Sequence, residues 1–228
     1  RNYLCTMLKN GWWKVLGILL MSYTLYRGLT THVPAVDLIE QSIRNLFFHV
    51  PMWMVMMVIL FTSAVYSILY LNKQDLKYDH YAQSFLEIGL LLGVCGCITG
   101  AIWARATWGD YWPNDPKLKG VTAGMLIYAA LVVLRAAIDE PKKKAKIGAI
   151  YNIFVFPIFL AFIYVMPKLN PGLHPGSGDT VQFVDYNVMD KDLRMVFYPA
   201  ILGWGLLFLW ITTLRYRMIR IIYKRNLK

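Results

Sequence analysis

Long apolar runs separated by short polar stretches dominate this sequence. About 20 apolar residues let an α-helix cross a hydrocarbon core of about 30 Å. The runs are continuous and rich in Leu, Ile, Val and Met, whereas the strands of a membrane barrel would alternate with a period of two. They therefore predict six helical spans, over residues 12–29, 50–71, 84–103, 120–138, 147–166 and 196–214.

Composition supports the membrane class. The chain is 57% hydrophobic and only 16% charged, whereas soluble domains carry about 25% charged residues. No internal repeat and no second domain interrupt the pattern. We expect an all-α integral membrane protein, with residues 1–228 forming one six-helix bundle.

The net charge of +11 raises the question of a nucleic-acid partner. The Lys and Arg residues lie in the segments between the apolar runs, so they indicate topology instead. Fifteen fall on the side of the amino terminus and eight on the other side. We therefore expect both termini in the cytoplasm, outer loops at about 30–49, 104–119 and 167–195, and no nucleic-acid partner. Lys14 and Arg135 lie near span ends, from which we expect them to reach the lipid headgroups.

The cysteines are not expected to form disulfides or to attach haem. Cys5 is near the amino terminus, and Cys95 and Cys97 lie inside an apolar run, where packing is their expected role. The sequence also lacks the C-x-x-C-H motif that binds c-type haem covalently.

Two of the four histidines are candidate ligands for a metal or for haem iron. His49 stands at the outer start of the second span, and His174 lies in the third outer loop, among prolines and glycines that could aim its imidazole. Singly, each could be an interfacial hydrogen-bonding residue. The predicted topology puts both at the same membrane face, whereas His80 is expected to be a solvated residue of an inner loop.

The second outer loop, TWGDYWPNDPKLKG, gathers aromatic residues. An aromatic belt at the membrane interface is one interpretation. The clustering of Trp and Tyr with Gly and Pro in one loop also suggests an apolar platform for a large planar ligand such as haem. Haem propionates need cations, and four lie on the same predicted side: Arg44, Arg105, Lys117 and Lys119.

The run from Trp108 to Leu118, WGDYWPNDPKL, resembles the tryptophan-rich signature of the haem-handling protein family of cytochrome c maturation, close to W-G-x-W-W-x-W-D-P/A-R-L. His49, before a Val-Pro, and His174 are similar to the two histidines that flank that signature. With six spans and both termini inside, the chain most resembles the C proteins of this family. Tyr111 and Asn114 stand where Trp is usual and Lys117 where Arg is usual, so a smaller stacking surface and a weaker propionate contact are implied.

The resemblance implies a haem delivery protein of the bacterial inner membrane, working at its periplasmic face and not a conventional enzyme. Non-covalent b-type haem would have His49 and His174 as axial ligands of its iron. The implied partners are a periplasmic haem carrier, ATP-binding-cassette transporter subunits, a small membrane subunit and membrane lipid. The resemblance implies that Trp108, Gly109, Tyr111, Trp112, Asp115 and Lys117 lie around the haem. Arg44 and Arg105 are added as candidate propionate partners because they lie on the same predicted side of the membrane.

Three other functions stay open. A cytochrome c synthase-type haem lyase would carry further histidines inside the membrane. An electron-transfer subunit with b-type haem would hold it between histidines of facing spans. A haem channel would need a path of polar residues across the membrane, for which Glu87 and Arg135 are the only intramembrane signs.

Overall fold

The structure is a computed structural model that describes residues 11–33, 40–178 and 189–226, and these residues form helices and connecting turns without a strand. Residues 34–39 and 179–188 of the predicted outer loops, and both termini with Cys5, lie outside the described residues. The helices are α1 Trp12–Thr30, a 3₁₀ helix Glu40–Phe47, α2 His49–Lys73, α3 Leu76–Trp108, α4 Pro116–Ala136, α5 Pro141–Leu160, a π-helical segment Ala161–Val165, α6 Met166–Leu169 and α7 Lys191–Asn226.

Five helical stretches of the described residues are long and apolar enough to cross a membrane: Gln41–Lys73, Leu76–Trp108, Pro116–Ala136, Pro141–Leu169 and Lys191–Arg225. They correspond to five of the six predicted spans. The remaining one, α1, is a helix of 19 residues that lies along α7, and its length of about 28 Å is close to the thickness of a hydrocarbon core. The predicted class, an all-helical multi-pass membrane protein, is confirmed.

α3 and α4 begin before the predicted spans because polar side chains satisfy their first turns. α3 starts at Leu76, eight residues before the predicted span, and its N-cap Asp75 accepts a hydrogen bond from the amide of Lys77 at 2.9 Å. Its other end is Gly109, whose φ of 80° needs glycine at this C-cap. α4 begins with Pro116 directly after the N-cap Asp115. Hydropathy marks where the chain is apolar, whereas these caps decide where each helix ends.

The bundle has two chemically different ends. The largest buried cluster joins α2, α3, α4, α5 and α7 around Met56, Leu92 and Phe159. At the histidine end, which we define by His49 and His174, the 3₁₀ helix packs on α7 through Phe47 and Val196. The basic end is the opposite one, where the Tyr70 hydroxyl donates to the Lys142 carbonyl at 3.2 Å.

Arg135 ties three elements together near the basic end. It is 7% exposed, and its guanidinium donates two hydrogen bonds to Asp79, at 2.8 and 2.9 Å, and one to Gln83 at 3.2 Å. A Cβ at Gly148 of α5 would lie 2.3 Å from Nη1 of Arg135. The expectation that Arg135 reaches the headgroups is wrong, because Asp79 of the neighbouring helix offers it a bidentate partner inside the bundle.

Candidate ligand pocket between two histidines

A cavity of about 410 Å³ opens at the histidine end of the bundle. The 3₁₀ helix, α2, α3, α4, the π-helical segment and the turn that follows α6 all contribute to its wall. Both His49 and His174 line it. The structure thus brings together the two histidines that the sequence predicted as a pair, although they are far apart along the chain.

His49 is the first residue of α2 and faces α3. Its Nδ1 lies 3.0 Å from Oγ1 of Thr99, and that hydroxyl donates its own proton to the carbonyls of Cys95, at 3.0 Å, and Gly96, at 3.2 Å. A hydroxyl has one proton and two lone pairs, so Nδ1 of His49 is the donor in this contact. The lone pair of the imidazole is then on Nε2. A Cβ at Gly100 would lie 2.7 Å from Cε1 of His49, so only glycine leaves room for this ring.

His174 lies in the turn after α6 and is held by Asp115. Its Nδ1 is 3.0 Å from Oδ1 of Asp115. The other carboxylate oxygen, Oδ2, accepts from the amides of Leu173 at 2.7 Å and His174 at 3.3 Å. An ionised carboxylate only accepts hydrogen bonds, so Nδ1 of His174 carries a proton. In the neutral imidazole the lone pair is then on Nε2. Both imidazoles therefore have the same tautomer, the one in which Nε2 can bind a metal.

Asp115 is fully buried and also caps α4, where Oδ1 accepts from the amides of Lys117 at 2.9 Å and Leu118 at 3.3 Å. Burial raises the pKa of this carboxyl. Hydrogen bonds from the His174 ring and from the amides of Leu173 and Leu118 outweigh burial and hold the pKa of Asp115 well below its usual range. Asp115, predicted to contact the cofactor, thus contacts the candidate ligand His174 in the structure.

The three aromatic residues of the signature occupy different positions relative to the cavity. Trp112 lines the cavity together with Trp103, which comes just before the signature. Trp108 packs edge-on against the His174 ring with centroids 4.9 Å apart, and against Trp103 at 4.8 Å with an interplanar angle of 77°. Tyr111 is exposed, under the guanidinium of Arg105. The Trp103 and Trp108 rings are close to perpendicular, so these two indoles do not form one flat platform.

The predicted cations are distributed unevenly. Lys117 lines the cavity. Arg44 hydrogen-bonds to the carbonyls of Gly28 at 3.0 Å and Thr31 at 2.9 Å, where it caps the end of α1. Arg105 donates to the carbonyl of Gly109. Lys119 is exposed and, like Arg44 and Arg105, is not part of the cavity wall.

The deeper wall of the cavity is apolar and includes sulfur. It follows α2 from His49 to Met57, nine residues that span about 12 Å of helix. Met54, Val121 and Ile163 line this part, together with Cys97, for which the sequence predicted simple packing. An apolar body with a few polar groups at one end suits a large, mostly apolar ligand.

Several residues of the site were not predicted from the sequence. Trp53 lines the cavity one helical turn after His49, with ring centroids 6.2 Å apart, and the i, i+4 spacing was the signal for it. Lys168 of α6 supplies a second cation to the wall. Thr99 and Gly100 meet His49 from α3, about fifty residues away, and no local pattern indicates such a contact.

The chain is similar to proteins that are named haem exporters. The family model described as Heme exporter protein C matches residues 3–228. The chain is 26% identical to Heme exporter protein C of Paracoccus denitrificans, over 77% of this chain and 72% of that protein. It is also 26% identical to Heme exporter protein C of Haemophilus influenzae, over 78% of this chain and 71% of the relative.

A second group of relatives is matched over a shorter region. Cytochrome c biogenesis protein CcsA of Prochlorococcus marinus is 35% identical over 42% of this chain, which is 29% of that protein. The nearly complete match of the family model is the stronger finding. The chain belongs to the haem exporter protein C family.

Proposed function

We propose that this chain handles haem in cytochrome c biogenesis: it holds haem non-covalently in the cavity at the histidine end and passes it to a periplasmic haem carrier. One observation carries the proposal, namely that His49 and His174 line the same cavity. The names of the relatives, Heme exporter protein C and cytochrome c biogenesis protein CcsA, support it.

The residues present suit haem. Each imidazole donates from Nδ1 to Thr99 or Asp115 and directs its lone pair to Nε2, the arrangement of an axial ligand. Indoles and aliphatic side chains supply an apolar wall. Lys117 and Lys168 are the cations of that wall and would pair with the propionates. His49 and His174 would hold the iron, while the protein contributes no covalent bond.

The periplasmic side of the inner membrane is the proposed location of the cavity. The basic end carries the larger share of Lys and Arg, which favours a cytoplasmic location for it and for both termini. The histidine end would then meet the periplasm.

Partner proteins would supply the energy and receive the haem. The sequence contains no G-x-x-x-x-G-K-[ST] nucleotide-binding loop. The proposed partners are a periplasmic haem carrier, ATP-binding-cassette subunits and a small membrane subunit. A haem lyase or a quinol-linked electron-transfer subunit would need histidines in the middle of the spans. All four histidines are described, and His49 and His174 are at one end of the bundle.

The ligand assignment is tested by absorption spectra of the purified protein with His49→Gly, His174→Gly and, as the matched control, His80→Gly near the basic end. We expect wild type and the control to show the low-spin bands of bis-histidine haem. Each of the first two variants should lose these bands and regain them when imidazole is added. Unaltered bis-histidine bands in both variants would reject the proposal.

A further inference from the structure

We infer that the two histidines are unequal ligands: Asp115 is a positioning residue that makes His174 the ligand retained during transfer, and His49 is the ligand that gives way to the carrier. This inference rests on the proposed function and concerns the order of events at the same site.

The support of His174 is ionic. Asp115 has no exposed surface and accepts five hydrogen bonds, two of them from the start of α4, two from the backbone of residues 173 and 174, and one from Nδ1 of His174. This network joins the turn that carries His174 to the first turn of α4. A hydrogen bond to a carboxylate is roughly twice as strong as one between neutral groups.

The support of His49 is neutral. Its Nδ1 donates to the Thr99 hydroxyl, whose proton is already engaged by the carbonyls of Cys95 and Gly96. A hydroxyl oxygen polarises the imidazole less than a carboxylate does. His49 keeps its orientation through this contact but gains little extra electron density at Nε2.

The difference decides which bond to iron is weaker. A carboxylate that accepts from Nδ1–H increases the electron density at Nε2 and strengthens the bond from Nε2 to a metal. When a ligand from the carrier competes, Nε2 of His49 leaves with its lone pair and keeps its Nδ1 proton. The incoming group supplies the replacing lone pair, so the oxidation state of the iron does not change.

Carbon monoxide tests this order in the purified, reduced protein, because it displaces the weaker axial ligand of ferrous haem. The Fe–C and C–O stretching frequencies, measured by resonance Raman spectroscopy, report on the ligand that stays opposite. We expect Asp115→Asn to shift both frequencies and Thr99→Val to leave them unchanged. Asp110→Asn is the matched control in the same loop, where the carboxylate is exposed, and it should also leave them unchanged.

A second comparison does not depend on the folding of the Asp115 variant. His49→Gly should give the same carbon monoxide frequencies as wild type, since His174 remains opposite in both proteins, whereas His174→Gly should give different ones. The reverse pattern, or equal frequencies in the two histidine variants, would overturn the inference. A wild-type protein without bis-histidine haem would instead reject the proposed function.

Discussion

At the scale of single residues, the carboxylate of Asp115 holds several parts of the site in place. It caps α4, fixes the backbone of the turn at residues 173 and 174, and orients the His174 ring. Losing an N-cap of this type costs about 1 kcal/mol. Asp115 is also buried and accepts hydrogen bonds from α4, from the turn and from the His174 ring, so its loss would cost more. The aspartate of the tryptophan-rich signature thus has a structural role that does not require contact with the ligand.

Gly100 gives a prediction at this scale. In Gly100→Ala the new methyl group would meet the His49 ring at 2.7 Å. Overpacking of this kind costs about 1–3 kcal/mol, and it would push the imidazole away from Thr99. We expect haem occupancy after purification to fall by roughly tenfold, the factor that corresponds to about 1.4 kcal/mol, as measured by the ratio of haem to protein.

Gly93→Ala is the control for this prediction. It makes the same change two turns earlier in α3, where the methyl group would meet the flexible end of Met125, 2.5 Å from its sulfur. Both variants gain helix propensity of about 0.8–1 kcal/mol, so this gain cannot explain a difference between them. Equal haem occupancy in the two variants would show that space at His49 does not matter.

At the scale of helices, the sequence predicted most of the helical spans but few of the contacts between side chains. Continuous hydropathy located the spans, because a helix in lipid must be apolar along its length. The predicted topology placed His49 and His174 at the same membrane face. The partners of each histidine were not predicted, because Thr99 is 50 residues from His49 and Asp115 is 59 residues from His174. Lys168 follows a π-helical segment, which no hydropathy pattern indicates.

The Arg135–Asp79 pair gives a prediction for helix packing. Arg135→Leu would leave the Asp79 carboxylate buried without its partner, which typically costs about 3–5 kcal/mol. We expect a clear fall in the melting temperature in detergent. Replacing both residues by Leu should recover much of the loss, because an apolar pair of similar volume is tolerated in a core.

The matched control for this pair is Lys77→Gln. Lys77 and Asp75 form an ion pair at 3.2 Å, with side chains 54% and 47% exposed, and such surface pairs contribute about 0–1 kcal/mol. We therefore expect Lys77→Gln to melt close to wild type. A melting temperature of Arg135→Leu equal to that of Lys77→Gln would mean that the buried pair does not hold α3 and α4 together.

At the scale of the whole molecule, the two ends divide the tasks. The histidine end has the cavity, its indoles and, among the described residues, two cations in the wall. The basic end has a buried ion pair and more Lys and Arg residues than the histidine end, including four lysines between residues 142 and 146. Segments rich in Lys and Arg stay in the cytoplasm during insertion, so we expect these charges to orient the bundle with its cavity toward the periplasm.

This orientation can be measured by cysteine labelling. In a background with Cys5, Cys95 and Cys97 replaced by Ala, a membrane-impermeant maleimide added to intact spheroplasts should label Lys119→Cys, which is exposed at the histidine end. Lys143→Cys, exposed near the basic end, should react only after the membrane is permeabilised. Labelling of Lys143→Cys in intact spheroplasts would place the cavity on the cytoplasmic side. Transfer of haem to a periplasmic carrier would then require a different site, because the two histidines would lie across the membrane from their acceptor.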